Sequence, residues 1–474
     1  MEKIRKPKIG LAGVMCTPFR GDKEGDYRAS RASLDALAER LDFEFHAVEH
    51  GIYSLEKAES AARHLQEWGA DFIMLQASSF ASGDFIYPFS RLPACLGLWA
   101  VPEGAPTSEG GLPLNSFTAA NLYNSILKTR ATGYARPVKW FLGAPGQMLF
   151  DRRLEITVQA LRAMLNLKGA RIGRVGGVAP GFNNLIIDKS RLKERLDISV
   201  VDLELEEVLQ RAGQVEGKKA EAAALEIRAS AAQFDESQAP ALLKSGRVNL
   251  ALQQTAEEHG LRALAVSCWP GFQTDYNFAV CTVMGQLNTR GLVAACEGDV
   301  PSAVGMLALH YLTNGSVVTL MDLATVDPTD ESILLWHCGP TSPELADTRG
   351  ARMQPLWLFD GPAGQRTGLH NDLVLKPGEA TVLGFSADFD HLLVLAGTID
   401  NTKPSYVGSR GWLKSLRLNT EPVKTADLVQ TLMASGYQHH YPLAYGDLSE
   451  AGLELSTWLG MTPIPVERYS AYAR

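Results

Sequence analysis

The sequence predicts an α/β protein: two open parallel-sheet α/β domains followed by a C-terminal antiparallel β-barrel-like domain. Three observations lead there. A chain of 474 residues with 46% hydrophobic content is longer than one hydrophobic core ordinarily organises. Through the first two thirds of the chain, strand-length apolar runs alternate with amphipathic helical stretches, the rhythm of βαβ units. Beyond Pro343 that rhythm gives way to short apolar runs between Gly, Pro, Asp and Asn turns.

In residues 1–168, KIGLAGVM, FEFHAV, DFIMLQAS, LGLWAV and VKWFLGA read as strands. SLDALAERL, LEKAESAARHLQEWG and AANLYNSILKTR are the helices between them, and DRRLEITVQALRAMLNL closes the domain. Residues 169–345 start afresh with ARIGRVGGV, ISVVDLE, an Ala/Glu/Lys-rich helical region from Gly217 to His259 and RALAVSC. This central domain is expected to carry metal-ligand carboxylates. Residues 346–474 hold QPLWLF, ATVLGF, HLLVLAG and GWLKSLRL, then a helix, strand and helix in ADLVQTLMASG, HHYPLAYGD and EAGLELSTWLG. They are expected to add a histidine ligand.

Composition excludes several classes of function. The 53 acidic against 45 basic side chains give a formal charge of −8 with no basic tract to follow phosphates, so nucleic acid is not an expected partner. No apolar run reaches the roughly 18 residues of a membrane span, and Met1 to Lys8 leads into a strand rather than a signal peptide. A cytoplasmic location is expected. The six cysteines are scattered without a CxxC pair and read as reduced, mostly buried thiols. IGLAGV and IGRVGG lack the G-x-G-x-x-G spacing, so they read as tight turns and no nucleotide cofactor is expected.

The chemistry concentrates between Cys268 and Gly339 and in HHYPLAYGD. Glu297 follows LVAAC, Asp322 lies in VVTLMDL and His337 ends ILLWH. In an open α/β sheet, ligand sites form at the carboxyl ends of neighbouring strands. A carboxylate buried there requires a cation. The spacings of 25 and 15 residues suit strand-helix-strand and strand-loop-strand steps. Two carboxylates with imidazole and no thiolate make a hard site suited to Mn²⁺, Mg²⁺ or Co²⁺. His439 and His440 are the remaining donors, and strand alternation lets only one of them face the ion. Each residue alone also has an ordinary explanation, Glu297 at a helix N-terminus, Asp322 ending a strand and His337 hydrogen-bonded in a core.

At CEGDVPSAVGMLALHYL, MDLATVDP, LWHCG, KPGEATVLGF and HHYPLAYGD the sequence resembles the L-fucose isomerase and L-arabinose isomerase family, especially its shorter fucose-isomerase-like members. The resemblance runs from about Lys168 to Gly460. It implies that Glu297, Asp322 and His440 bind the catalytic metal. The third-motif histidine, here His337, is a ligand in the arabinose branch and not in the fucose branch. The resemblance also implies a C-terminal β-barrel and homo-oligomers, commonly hexamers.

The expected activity is metal-dependent aldose-ketose isomerisation of a monosaccharide through a cis-enediol(ate), with Glu297 and Asp322 as the acid/base pair. Trp269, Gln273, Tyr276, Asn183 and His439 are expected to meet the sugar. Two other classes stay open: a cytoplasmic sugar-binding or sensor protein, and a metal-dependent aldolase or epimerase of a related polyol.

Overall fold

The computed structural model describes residues 3–106, 110–129, 133–358 and 368–472. The chain forms two compact units, Arg5–Arg162 and, with the N-terminal residues, Ala163–Arg474.

The first unit is a parallel sheet of β1 (Lys8–Val14), β2 (Glu44–Ala47), β3 (Phe72–Ala77), β4 (Cys95–Ala100) and β5 (Val138–Leu142), ordered β2-β1-β3-β4-β5. Central strands β3 and β4 are buried along their whole length, which is why FIMLQA and CLGLWA are apolar runs without alternation. The crossover helices begin where the sequence caps them. Asp22 accepts from Gly25 N at the start of Lys23–Leu41, and Ser54 accepts from Lys57 N at the start of Leu55–Trp68.

The second unit opens with a four-stranded parallel sheet. β6 (Arg171–Val175) and β7 (Ser199–Leu203) come first, and two-residue β8 (Gln233–Phe234) interrupts the Gly217–His259 helical region. β9 (Ala263–Val266) and β10 (Val293–Ala295) complete the order β10-β9-β6-β7. Helix Val300–Leu312 follows, with every residue buried, because it packs against β9 and β10 on one side and barrel strands on the other. A helix apolar all round belongs in such a place. Gly305 permits the close approach, since a Cβ there would lie 2.7 Å from Leu383 O and 2.9 Å from Pro442 Cγ.

The barrel starts earlier than Pro343. β11 (Thr319–Asp327) and β12 (Ser332–His337) are antiparallel partners joined by four residues, too few for the crossover that a parallel pair requires. DPTDE is therefore a hairpin turn, and Asp322 and His337 belong to the barrel and not to the central parallel sheet. β13 (Arg352–Pro355) and β14 (Leu369–Val374) lie outside the barrel proper. Of QPLWLF, only its first two residues are strand, and Phe359 lies outside the described residues. β15 (Gly378–Phe385), β16 (His391–Asp400) and β17 (Ser409–Leu418) follow, with short β18 (Glu421–Pro422) on the edge. β19 (His440–Tyr445) and β20 (Thr462–Pro463) end the chain. The order β16-β15-β19-β11-β12-β17, closed by β16 with β17, is a six-stranded antiparallel barrel with extra strands. Its interior is filled by residues such as Met321, Ile333, Leu335, Val382, Leu395 and Leu443. The fold class read from the sequence is the one observed.

Candidate metal centre

Glu297 is presented by a turn, not by a strand. β10 ends at Ala295, and Glu297 and Gly298 follow with φ of 60° and 75°. Gly298 N donates to Val266 O at 3.0 Å, and Ala179 N donates to Glu297 O at 3.0 Å. A Cβ at position 298 would stand 2.1 Å from Gly177 O, so only glycine fits. The left-handed conformation costs a glutamate about 1 kcal/mol or more, and it is retained where the side chain meets the other polar groups of the site. The next residue, Asp299, caps helix Val300–Leu312 by accepting from Ser302 N at 2.9 Å.

The barrel supplies the facing groups. Asp322 on β11 lies between His440 on β19 and Trp336 on β12 in the antiparallel ladders, and cross-strand partners share a face. His440 is fully buried, and its Nδ1 is 2.8 Å from Asp299 Oδ2. A carboxylate can only accept, so Nδ1 carries the proton and the Nε2 lone pair is bare. That Nε2 lies 3.4 Å from Glu297 Oε2 and 3.7 Å from Asp322 Oδ1. Acceptors thus face one another: His439 Nε2 reaches Glu297 Oε2, but Asp322 Oδ1 and His440 Nε2 are both buried without a hydrogen-bond partner. This arrangement is costly unless a cation sits among them.

His337 stacks on His440 with ring centroids 5.6 Å apart. Its Nδ1 is 2.8 Å from Cys338 N, and its Nε2 is another buried atom without a partner. Burial opposes charge on this ring, but Asp322 and its neighbours outweigh burial and push it up to about 10. Burial likewise lifts the Asp322 carboxyl above its ordinary value, against the pull of His337 and His440. His439 is also raised: burial works the other way, and the Glu297 bond and Asp322 charge overcome it.

Four thiols lie beside these groups. Cys268 Sγ is 3.2 Å from Cys296 Sγ, and Cys281 Sγ is 3.9 Å from Cys338 Sγ. Hydrogen bonds from Cys281 and Cys296 hold the Cys338 thiol well below its usual range, while the Cys281 thiol is raised by its bond to Cys338 and the Cys296 thiol first by its bond to Cys268 and then by that to Cys338.

A cavity of about 290 Å³ is lined by Glu297, Asp322, His337, Trp269, Gln273 and Trp336, among others. Tyr276 stands apart from that lining, its ring 4.9 Å from Lys244 Nζ. Asn183 is exposed. Its neighbours reach the site instead: Asn184 Nδ2 is 3.3 Å from His439 Nδ1, and Phe182 stacks on His439 at 5.2 Å. Adjacent His439 and His440 both approach Glu297, His439 Nε2 at 3.3 Å. The alternation rule does not apply to them because His439 precedes β19. Among the described residues three sets of donors come within metal-binding reach of one another: Glu297 with His439 and His440, Asp322 with His337 and His440, and Cys268 and Cys296 with Glu297. Sequence reasoning takes Asp299 only as acidic capping at a helix N-terminus and gives it no place in the site. Its signal is D-V-P-S after E-G, a capping aspartate beside a proposed ligand.

Comparison with known proteins gives relatives of one name. Over 432 residues the chain is 27% identical to the sulfoquinovose isomerases of Priestia aryabhattai and Priestia megaterium, covering 88% of this chain and 90% of each relative. It is 25% identical over 405 residues to the sulfoquinovose isomerase of Alkalicoccus urumqiensis, covering 84% and 86%. Their name agrees with the sugar isomerase expected from the sequence. No family model matches the chain. Among solved structures, a solute-binding protein from Burkholderia multivorans aligns with a TM-score of 0.18 and 10% identity over 65% of this chain and 96% of that one, a likeness too slight to inform the fold. Among the described residues no helix is long and apolar enough to cross a membrane.

Proposed function

We propose that this chain is a divalent-metal-dependent isomerase that interconverts an aldose and a ketose through a cis-enediol(ate), with sulfoquinovose, named in its relatives, as the first sugar to test. The observation that carries the reading is the set of acceptors around the buried His440 Nε2, with Glu297 Oε2 at 3.4 Å and Asp322 Oδ1 at 3.7 Å. Glu297, Asp322 and His440 fit a hard cation, Mn²⁺ before Mg²⁺ or Co²⁺. Bound there, the cation supplies Lewis acidity to vicinal sugar oxygens.

The chain's own groups do the rest. Asp299 fixes the tautomer and orientation of His440. Asp322, its carboxyl raised by burial, and Glu297 are the acid/base pair that moves the proton between C1 and C2. His337, whose Nε2 has no partner, serves as donor to a sugar oxygen rather than as a ligand. Trp269 and Trp336 wall the cavity and limit water, and Gln273 offers an amide to a hydroxyl.

The test is turnover of sulfoquinovose and a panel of aldoses by the purified chain, with and without Mn²⁺ after exhaustive chelation, with product identification. The ketose isomer should form only with metal, and Asp322→Asn should lower kcat at least about 10²-fold. Full activity in verified metal-free protein defeats the mechanism, and a cleaved or epimerised product defeats the isomerase reading.

A further inference from the structure

We propose that the centre contains a second, thiophilic cation site built from Cys268, Cys296 and Glu297. Neighbouring parallel strands β9 and β10 bring these residues together: Cys268 stands two residues beyond the end of β9, and Cys296 immediately follows β10. Their Sγ atoms are 3.2 Å apart, and a Glu297 carboxylate oxygen lies within 4.8 Å of both sulfurs. Cys268 is 9% exposed and Cys296 is 1% exposed.

A single buried cysteine is ordinary apolar packing. A sulfur pair beside the Glu297 carboxylate, itself next to the unpartnered Asp322 Oδ1 and His440 Nε2, is a ligand set. On a tetrahedral cation with bonds of about 2.3 Å, two sulfurs sit about 3.8 Å apart, so this pair need open only by about half an ångström. A disulfide would require closure to about 2.0 Å. Thiolates select soft and borderline ions such as Zn²⁺ or Cd²⁺, whereas Mn²⁺ and Mg²⁺ prefer the oxygen and nitrogen donors across the cavity. On binding, both S–H bonds break, two metal–sulfur bonds form, and the two protons pass to solvent.

Glu297 is common to both sets of donors. An ion held by the thiolates draws this carboxylate from Asp322 and His440, so Zn²⁺ or Cd²⁺ inhibits by competing with the hard cation for Glu297. Inhibition rests on the isomerase reading, whereas binding does not.

The experiment titrates the full chain with Cd²⁺, following the ultraviolet cadmium–thiolate absorption, and separately follows Mn²⁺-dependent turnover. The band should saturate at about one equivalent. Cys296→Ser should weaken Cd²⁺ binding at least about tenfold, as expected for loss of a direct ligand, and Cys268→Ser with Cys296→Ser should abolish the band. The corresponding alanine variants keep the packing apolar if serine impairs folding. Absence of a saturable band in the unmodified chain overturns the proposal, as does an undiminished band in the double variant, which assigns the ion to other cysteines. A band without any Mn²⁺-dependent turnover overturns the isomerase reading and leaves the site standing.

Discussion

Asp299 uses each of its oxygens for a different task, one capping a helix and the other holding the ring of His440. The second task makes the ring nitrogen that faces Glu297 and Asp322 an acceptor. Asp299→Asn keeps the shape and removes the charge that fixes the tautomer, so it should lower Mn²⁺ affinity about 10- to 100-fold. His440→Ala should be more damaging than His439→Ala, whose ring is partly exposed. Titration of the folded variants with Mn²⁺ decides the order, and unchanged affinity in Asp299→Asn removes the orienting role. The meeting of Glu297, Asp322 and His440 was legible in the sequence because each is a polar residue beside apolar runs in a recognisable motif. Asp299 was not, since a capping aspartate looks the same whether or not its second oxygen has a partner. Sequence order singles out Asn183 but cannot tell which of two adjacent amides in a short turn reaches His439, and here it is Asn184.

The elements explain why distant segments meet. The turn after β10 and the facing strands β11 and β19 carry the candidate ligands, while β12 carries His337. The sequence placed β11 and β12 in a parallel sheet because MDLATVD and ILLWH look alike in either kind of sheet, and only the short DPTDE connection distinguishes them. That hairpin is tied to the rest of the barrel by ions: Lys403 Nζ is 2.7 Å from Asp327 and 2.9 Å from Asp330, and Lys414 Nζ is 3.2 Å from Asp330 and 2.6 Å from Asp400. Lys414, with Thr402, lowers the Asp400 carboxyl from 3.8 to about 2. A carboxyl depressed by folding contributes stability that is present above its unfolded value and lost as pH falls through its folded one. Asp400→Asn should therefore lower the urea midpoint at about pH 5, and the difference from the unmodified chain should shrink as pH falls from 3.8 through about 2. A difference that stays constant over that range excludes this carboxylate as its source.

At the scale of the whole molecule, all the groups of the centre belong to the compact unit Ala163–Arg474, and the five-stranded sheet belongs to Arg5–Arg162. The general α/β alternation was readable in both units, but a helix-strand rhythm does not say which one holds a site, whereas clustered acceptors do. A cation that binds only the folded centre stabilises it by mass action, about 2.7 kcal/mol at a free concentration 100 times Kd. The gain should appear where the ligands are held: amide exchange should slow in the Cys296–Asp299 turn and in β11 and β19, with little change in β1, β3 and β4. Asp322→Asn should reduce this Mn²⁺-dependent protection by weakening the ion. Peptide-resolved hydrogen exchange with and without Mn²⁺ measures both effects. Equal slowing in the two units, or protection that survives in Asp322→Asn together with His440→Ala, would place the ion elsewhere, because a cation cannot protect a turn through ligands that are no longer there.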